Sequence, residues 1–393
     1  MNRKKVLLIV SVNTKTIGRL SHNLYRALVV LPNVEVRVAL IYKCGDVGYS
    51  FGECEVFARD RLPGIIEQSR LIRKVLWIRR IRKSFNPDIT IGTQFVCSTI
   101  SVLSGGGERK IGIFHSPHMQ TRDRGILLYG INVLIYRLIY PRLSKLYCVS
   151  EEVRDSIRAH FPMIDPCKLE VVYNIHNVEE IRTLGQEPLS IEEMRAFAHP
   201  VVLFCGRLEP NKAPERLLFA VGENATLFSK PPNLVFIGRS KDGMAEKLRK
   251  LAVQLGIENR VYILGEQSNP YKFMSLARVV VSCSFSEGLP GVLIESLLLH
   301  TPIVSTNSSK GVWEILGVQE GYSTRLRELV ITGNGVISPN LSYYDKSIRE
   351  WDWDTLHLAK GIAYVLNTDL RGNDFRFENE VSGSVVAKRY VDC

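Results

Sequence analysis

Short apolar runs alternate with amphipathic stretches along most of this chain. In the first half, strand-like runs at 5–12, 34–41, 88–92, 110–114, 145–149 and 168–173 are interleaved with helical spacing at 20–30 and 67–84. The rhythm returns at 201–205, 234–237, 261–264, 278–283, 302–305 and 335–337. Continuously apolar strands are buried on both faces, and their alternation with helices predicts doubly wound parallel sheets, an α/β fold. A polar, weakly patterned stretch at 179–199 separates the two series and reads as a linker. At 393 residues the chain has room for two domains, expected at 1–178 and 200–375. The last segment, 376–393, has helical spacing at Val381, Val385 and Val386.

Two glutamates eight residues apart, Glu287 and Glu295, stand just after the apolar run 279–283. That run predicts a buried strand, with a loop to Leu289, Pro290 in a first turn and a helix to about 300. Glu287 is then placed at the carboxyl edge of a sheet and Glu295 one to two turns into a helix. The free amides opening that helix suit a phosphate. Taken alone, each glutamate could as well be solvated and Gly288 and Gly291 simply make the turn. A second stretch shifts the balance: the strand at 201–205 runs into Gly-Arg-Leu-Glu-Pro-Asn-Lys (206–212), which puts Arg207 and Lys212 at another strand end. An arginine fork and a mobile lysine charge are suited to phosphate oxygens and to the charge of a departing diphosphate.

Together these stretches resemble the retaining glycosyltransferases of family 4, well over about 200–340 and loosely in the N-terminal half. The resemblance takes in Gly-Glu-Gln-Ser-Asn-Pro-Tyr (265–271) and the segment 306–316 with Gly311 and Glu314. It implies the GT-B arrangement, two Rossmann-like domains facing across a cleft, with the last helix crossing back to the N-terminal domain. It also implies that Arg207 and Lys212 hold the donor diphosphate, Glu295 the ribose, Glu287 the donor sugar, and Gly265 the region of the base. The amides of Leu289, Gly291 and Val292 would complete the phosphate cradle, with Gly288 also on the donor-binding side. In the N-terminal half, His115 matches a family histidine near the donor sugar, with His118 as a competitor and a purely structural histidine as the alternative. Gly18 opens the first helix where members often carry a glycine pair; Ile17 replaces the first glycine here. Arg19, Arg122 and Arg124 are candidates for an acceptor phosphate or for plain solvation. The implied reaction is transfer from a UDP-sugar, with retention, onto a lipid-linked saccharide of capsule, O-antigen or exopolysaccharide. The competing readings are a non-hydrolysing UDP-sugar epimerase and a catalytically silent nucleotide-sugar-binding assembly partner. No cofactor or metal is called for.

Charge sharpens the expectation about partners. Residues 1–150 hold 24 Lys and Arg against 9 Asp and Glu, a surplus of +15, while the other 243 hold 27 against 31. The densest basic stretch, 70–83, interleaves Arg73, Lys74 and other cations with aliphatics and Trp77. It suits an anionic membrane surface, or equally an ordinary surface helix packed on the sheet. Nucleic acid is not expected, since no recognition motif accompanies the charge. Eight scattered cysteines lack disulfide or zinc spacing and read as reduced core residues. The apolar start, 6–12, imitates a signal peptide but is short and is expected to be the first strand. A cytoplasmic protein, peripheral on the inner membrane face, is the expected location. Two decoys remain. Asp352 and Asp354 imitate a metal-binding Asp-x-Asp but are expected to cap a helix, and Gly105–Gly107 lacks dinucleotide-binding spacing.

Overall fold

The computed structural model describes residues 3–44, 48–52, 54–58, 70–115, 126–340, 352–368, 370, 375 and 377–392, with backbone alone at 15, 126–129, 131, 132, 135 and 352. The chain divides into two units, 1–177 with 379–393 and 178–378.

In the first unit, strands β1 (Lys4–Val12), β2 (Val34–Tyr42), β3 (Cys54–Ala58), β4 (Ile89–Gly92), β5 (Arg109–Phe114), β6 (Lys145–Cys148) and β7 (Leu169–Val171) form one sheet in the order β3-β2-β1-β4-β5-β6-β7. Every pairing is parallel. Side chains alternate across a strand, so β1 sends Val6, Leu8 and Val10 into one core and Leu7 and Ile9 into the other. Both faces are therefore covered, which is why the strand reads as unbroken apolar sequence. Helices α1 (Lys15–Val29), α2 (Leu71–Phe85), α3 (Phe95–Leu103), α4 (Ile126–Ile139) and α5 (Glu151–His160) make the crossovers. The strand order turns back between β1 and β4, a topological switch point.

The second unit repeats the plan with β8 (Val201–Cys205), β9 (Asn233–Ile237), β10 (Val261–Gly265), β11 (Val279–Ser282), β12 (Ile303–Thr306), β13 (Val330–Thr332) and β14 (Gly335–Ser338). Their order is β10-β9-β8-β11-β12-β14-β13, with the switch between β8 and β11; only β13 runs antiparallel among the described strands.

The stretch read as a linker, 179–199, is instead built into the second unit as α6 (Val178–Gly185) and α7 (Ile191–Arg195). Val178, Ile181 and Gly185, at i, i+3 and i+7, are buried on one face. Gly185 is packed so closely that a Cβ there would lie 2.5 Å from Leu299 Cδ2. Ser190 and Glu193 form a capping box for α7. Polar side chains on the outer face conceal this pattern in the sequence. Remaining helices are α8 (Glu215–Gly222), α9 (Met244–Gln254), α10 (Tyr271–Leu276), α11 (Gly291–Leu298), α12 (Lys310–Ile315), α13 (Asp352–Asn367), α14 (Glu378–Val381) and α15 (Gly383–Val391). The last belongs to the first unit, where the Tyr147 hydroxyl donates to Arg389 O at 2.7 Å and Arg109 Nη2 to Tyr390 O at 3.0 Å. No helix among the described residues is long and apolar enough to cross a membrane.

Candidate active site

At the switch point of the second unit, the chain leaves β8 and β11 side by side at their carboxyl ends. The backbones beside them approach closely. A Cβ on Gly238, whose φ is +143°, would fall 1.8 Å from Gly206 O, so only glycine fits. From Gly206 the chain is tied across to the next loop by Leu208 N to Arg239 O and Lys241 N to Leu208 O, each 3.0 Å. A 3₁₀ turn at Pro210–Lys212 and left-handed Ala213 (φ +44°) then swing it into α8. This bend carries Lys212 onto Glu287, and the two form an ion pair through Glu287 Oε1. The Ser284 hydroxyl donates to the same oxygen at 2.6 Å. Both partners keep some solvent access, 22% for Lys212 and 14% for Glu287.

The loop that presents Glu287 has left the sheet, so its carbonyls have no ladder partners. Side chains from several elements replace them. Arg216 Nη1 donates to Cys283 O at 3.4 Å, Thr306 Oγ1 to Ser284 O at 2.7 Å, and Asn340 Nδ2 to Phe285 O at 2.9 Å. Asn211 Nδ2 donates to Ser286 O at 3.0 Å, and Ser309 Oγ to Gly288 O at 2.9 Å. Backbone bonds add Phe285 N to Asn211 O (3.0 Å) and Glu287 N to Ser308 O (3.1 Å). Gly311 permits the last approach, since a Cβ there would sit 2.3 Å from Gly288 O.

Arg207 lies on the same β8 loop with its side chain 68% exposed, and donates to Glu209 Oε2 at 2.8 Å. Glu295 is the fifth residue of α11 and is 5% exposed. Leu289, Gly291 and Val292 are partly exposed at the entrance to that helix, with Pro290 immediately before it. Gly265 ends β10 with φ +73°, and its carbonyl accepts from Gly238 N at 2.7 Å. The Asp354 carboxylate is neither an exposed cap nor a member of a metal cluster among the described residues. It is 1% exposed, inside α13, and pairs with Arg216 at 3.1 Å. Sequence reasoning missed Arg216 altogether. In a helical stretch, an arginine reads as a solvated face, and only the packing shows that it is fully buried.

The first unit holds its own candidates. Gly18 is required sterically, because a Cβ would meet the Asn13 carbonyl carbon at 2.4 Å. His115 follows β5 and bonds through Nε2 to Thr93 O at 2.9 Å. A carbonyl accepts, so Nε2 carries the proton and Nδ1 is left as an acceptor with no partner among the described residues. Burial lowers the His115 pKa to about 4. The ring lines a pocket with Ser21, Thr93, Asn174 and Tyr390. Arg19 lies near buried His176, whose pKa falls to about 3 through burial and then through that cation. His118, Arg122 and Arg124 lie outside the described residues.

On α2, Lys74 is not on the solvent side. It is 2% exposed with its ammonium 5.0 Å over the Tyr42 ring, because it falls on the face of Ile78, Ile81 and Phe85. Trp77 packs on Phe57, centroids 5.3 Å apart. Arg73 is exposed, as are Ile72, Leu76, Arg79, Arg80 and Lys83.

Comparison with known proteins adds the family context. Residues 17–180 match the family model described as Glycosyltransferase Family 4, and residues 192–326 the one described as Glycosyl transferases group 1. An uncharacterised glycosyltransferase of Methanocaldococcus jannaschii is 25% identical over 300 residues, 73% of this chain and 71% of that protein. A Campylobacter jejuni N-acetylgalactosamine-N,N'-diacetylbacillosaminyl-diphospho-undecaprenol 4-alpha-N-acetylgalactosaminyltransferase is 30% identical over 190 residues, 48% of each chain. The lipopolysaccharide core biosynthesis glycosyltransferase LpsE of Rhizobium meliloti is 29% identical over 141 residues, 33% of this chain and 39% of that one. The chain thus spans about half the length or less of these two named transferases. Among solved structures, the lipopolysaccharide outer core galactosyltransferase WaaB superposes with TM-score 0.67 at 15% identity, covering 98% of each chain. Anabaena HepE, solved with UDP and glucose, gives 0.62 at 15% identity over 99% of each. Both likenesses establish the fold.

Proposed function

We propose that this chain, which belongs to the family 4-like glycosyltransferases of the GT-B type, moves a hexose or N-acetylhexosamine from a UDP-sugar, with retention, onto a lipid-linked saccharide. The observation that carries the reading is the meeting of Lys212 with Glu287 at the β8/β11 switch point, where open α/β sheets bind nucleotides. Lys212 and Arg207 neutralise charge on the departing UDP, a task that then needs no metal. Glu287 accepts hydrogen bonds from donor-sugar hydroxyls, and Glu295 from the ribose. The amides of Leu289, Gly291 and Val292, backed by the α11 dipole, hold the diphosphate. In the first unit, the neutral His115 offers Nδ1 as an acceptor for a hydroxyl. The lipid-linked acceptor is supported by the diphospho-undecaprenol substrate in the Campylobacter relative's name. An anionic membrane face on the cytoplasmic side is the expected place of work, and the exposed cations of α2 support it.

The test is UDP release from a panel of UDP-sugars, followed by assignment of the product's anomeric configuration by NMR. No UDP release from any donor, with or without lipid acceptor, sinks the reading, and an inverted product sinks its stereochemistry.

A further inference from the structure

We propose that Arg216 and Asp354 form a buried positioning pair that fixes the loop 283–288, and through it the Glu287 carboxylate, in the geometry that sugar transfer needs. The role assigned to Glu287 rests on the glycosyltransferase reading above.

Arg216 is 0% exposed and Asp354 1%, on α8 and α13. The guanidinium spends its planar fork on three groups at once. Nη2 donates to Asp354 Oδ2 at 3.1 Å, and Nη1 to Asn340 Oδ1 at 2.8 Å and to Cys283 O at 3.4 Å. Its carbon sits 5.2 Å from the centre of the Phe285 ring. Because Arg216 has donors only, it dictates which end of the Asn340 amide faces it. The other end, Nδ2, is thereby aimed at Phe285 O, 2.9 Å away. Asp354 orients the fork, the fork orients the amide, and the two together hold the carbonyls of residues 283 and 285. Two residues on stands Glu287.

Stability alone is a poor account of this pair. Taking two ions out of water is costly, and well-packed apolar replacements of buried pairs are often neutral or stabilising. What an apolar pair cannot supply is direction: three bonds from one rigid plane to two loop attachments. Lysine keeps the charge but has a single donor atom, so it cannot reproduce the fork. Arg216 and Asp354 do not reach the ligand themselves. They act through the loop.

Two variants test this, Arg216→Lys and the charge-free pair Arg216→Met with Asp354→Leu. Each is measured for kcat and KM with the UDP-sugar that wild type uses, for UDP affinity, and for deuterium exchange of the amides of 283–289. The expected result for both is a kcat about tenfold to a hundredfold lower, KM and UDP affinity within about threefold, and faster exchange in that segment. The apolar pair is expected to unfold no earlier than wild type while losing the same kcat, which a merely stabilising pair would not do. Wild-type kcat and exchange in Arg216→Lys overturn the proposal, as does a kcat loss matched by an equal loss of UDP affinity. If wild type turns over no nucleotide sugar, the glycosyltransferase reading fails separately. Exchange in 283–289 then still decides whether the pair holds the loop.

Discussion

Glu287 Oε1 carries both the ion pair with Lys212 and the hydrogen bond donated by the Ser284 hydroxyl, so the proposed sugar contact falls to its second oxygen. Lys212→Ala and Glu287→Ala should each lower kcat/KM for the donor by roughly 10²–10³. Because each variant already breaks the pair, the double variant should lose much less than the product of the two; strictly additive losses would mean that the residues act independently. That Lys212 and Glu287 lie in loops at the ends of strands was legible in the sequence, because each follows an apolar run; that the two strands are neighbours comes from the sheet order. Arg216 and Asp354 were not legible, since they are 138 residues apart, Arg216 sits in no recognisable pattern, and the Asp-x-Asp around Asp354 points to a helix cap instead of to a buried pair. The histidines give a pH prediction. His115 and His176 hold folded pKa values of about 4 and about 3, below the ordinary 6.5, so between those limits the unfolded chain binds more protons than the folded one. Stability should therefore be flat above about pH 6.5 and fall as pH drops toward 4. His176→Gln should make the melting temperature less steep across that window, and an unchanged slope would contradict the burial of that ring in neutral form.

Elements were legible where one physical term dominates. Strands buried on both faces, such as β1 and β9, announce themselves as apolar runs. The short edge strand β3 does not, because its residues are half-exposed and include Glu55. Helix α6 looks polar because only a narrow stripe of it is buried, and α7 because none of its five residues is. Lys74 misled for the opposite reason: a cation that packs over an aromatic ring is indistinguishable in sequence from its solvated neighbours. Turns are where the backbone itself decides. Gly238→Ala should destabilise the second unit by several kcal/mol, since φ +143° and a 1.8 Å approach to Gly206 O leave no relaxed position for a Cβ. Gly243→Ala, also at positive φ (+72°) but with open space around it, should cost only about 1 kcal/mol. Equal melting temperatures for the two variants would show that the close approach at 238 is relieved elsewhere.

At the scale of the whole molecule, charge is segregated by sequence: +15 over residues 1–150 against −4 over the rest. A uniform surplus would serve solubility, but a concentrated one selects a partner and an orientation. On α2 the exposed side carries Arg73, Arg79, Arg80 and Lys83 together with two large aliphatics, Ile72 at 71% exposure and Leu76 at 57%. A purely solvated helix gains nothing from those aliphatics, whereas a lipid headgroup layer accepts both components, cations at the phosphates and methyl groups just beneath. The two components separate experimentally. Each cation near an anionic surface is worth about 1 kcal/mol and is screened by salt. Arg79→Glu with Arg80→Glu changes the charge of the helix by four units, on the order of 4 kcal/mol at ~1 kcal/mol per unit, and should therefore weaken binding to phosphatidylglycerol-containing vesicles in a sedimentation assay by roughly two to three orders of magnitude. Most of that difference should vanish at about 1 M salt, where the screening length is only ~3 Å. Ile72→Ser with Leu76→Ser should instead remove the part of the binding that survives high salt. Binding to neutral phosphatidylcholine vesicles as strong as to anionic ones, or indifference to the α2 variants, would remove α2 as a membrane contact and leave the basic surplus to another anionic partner.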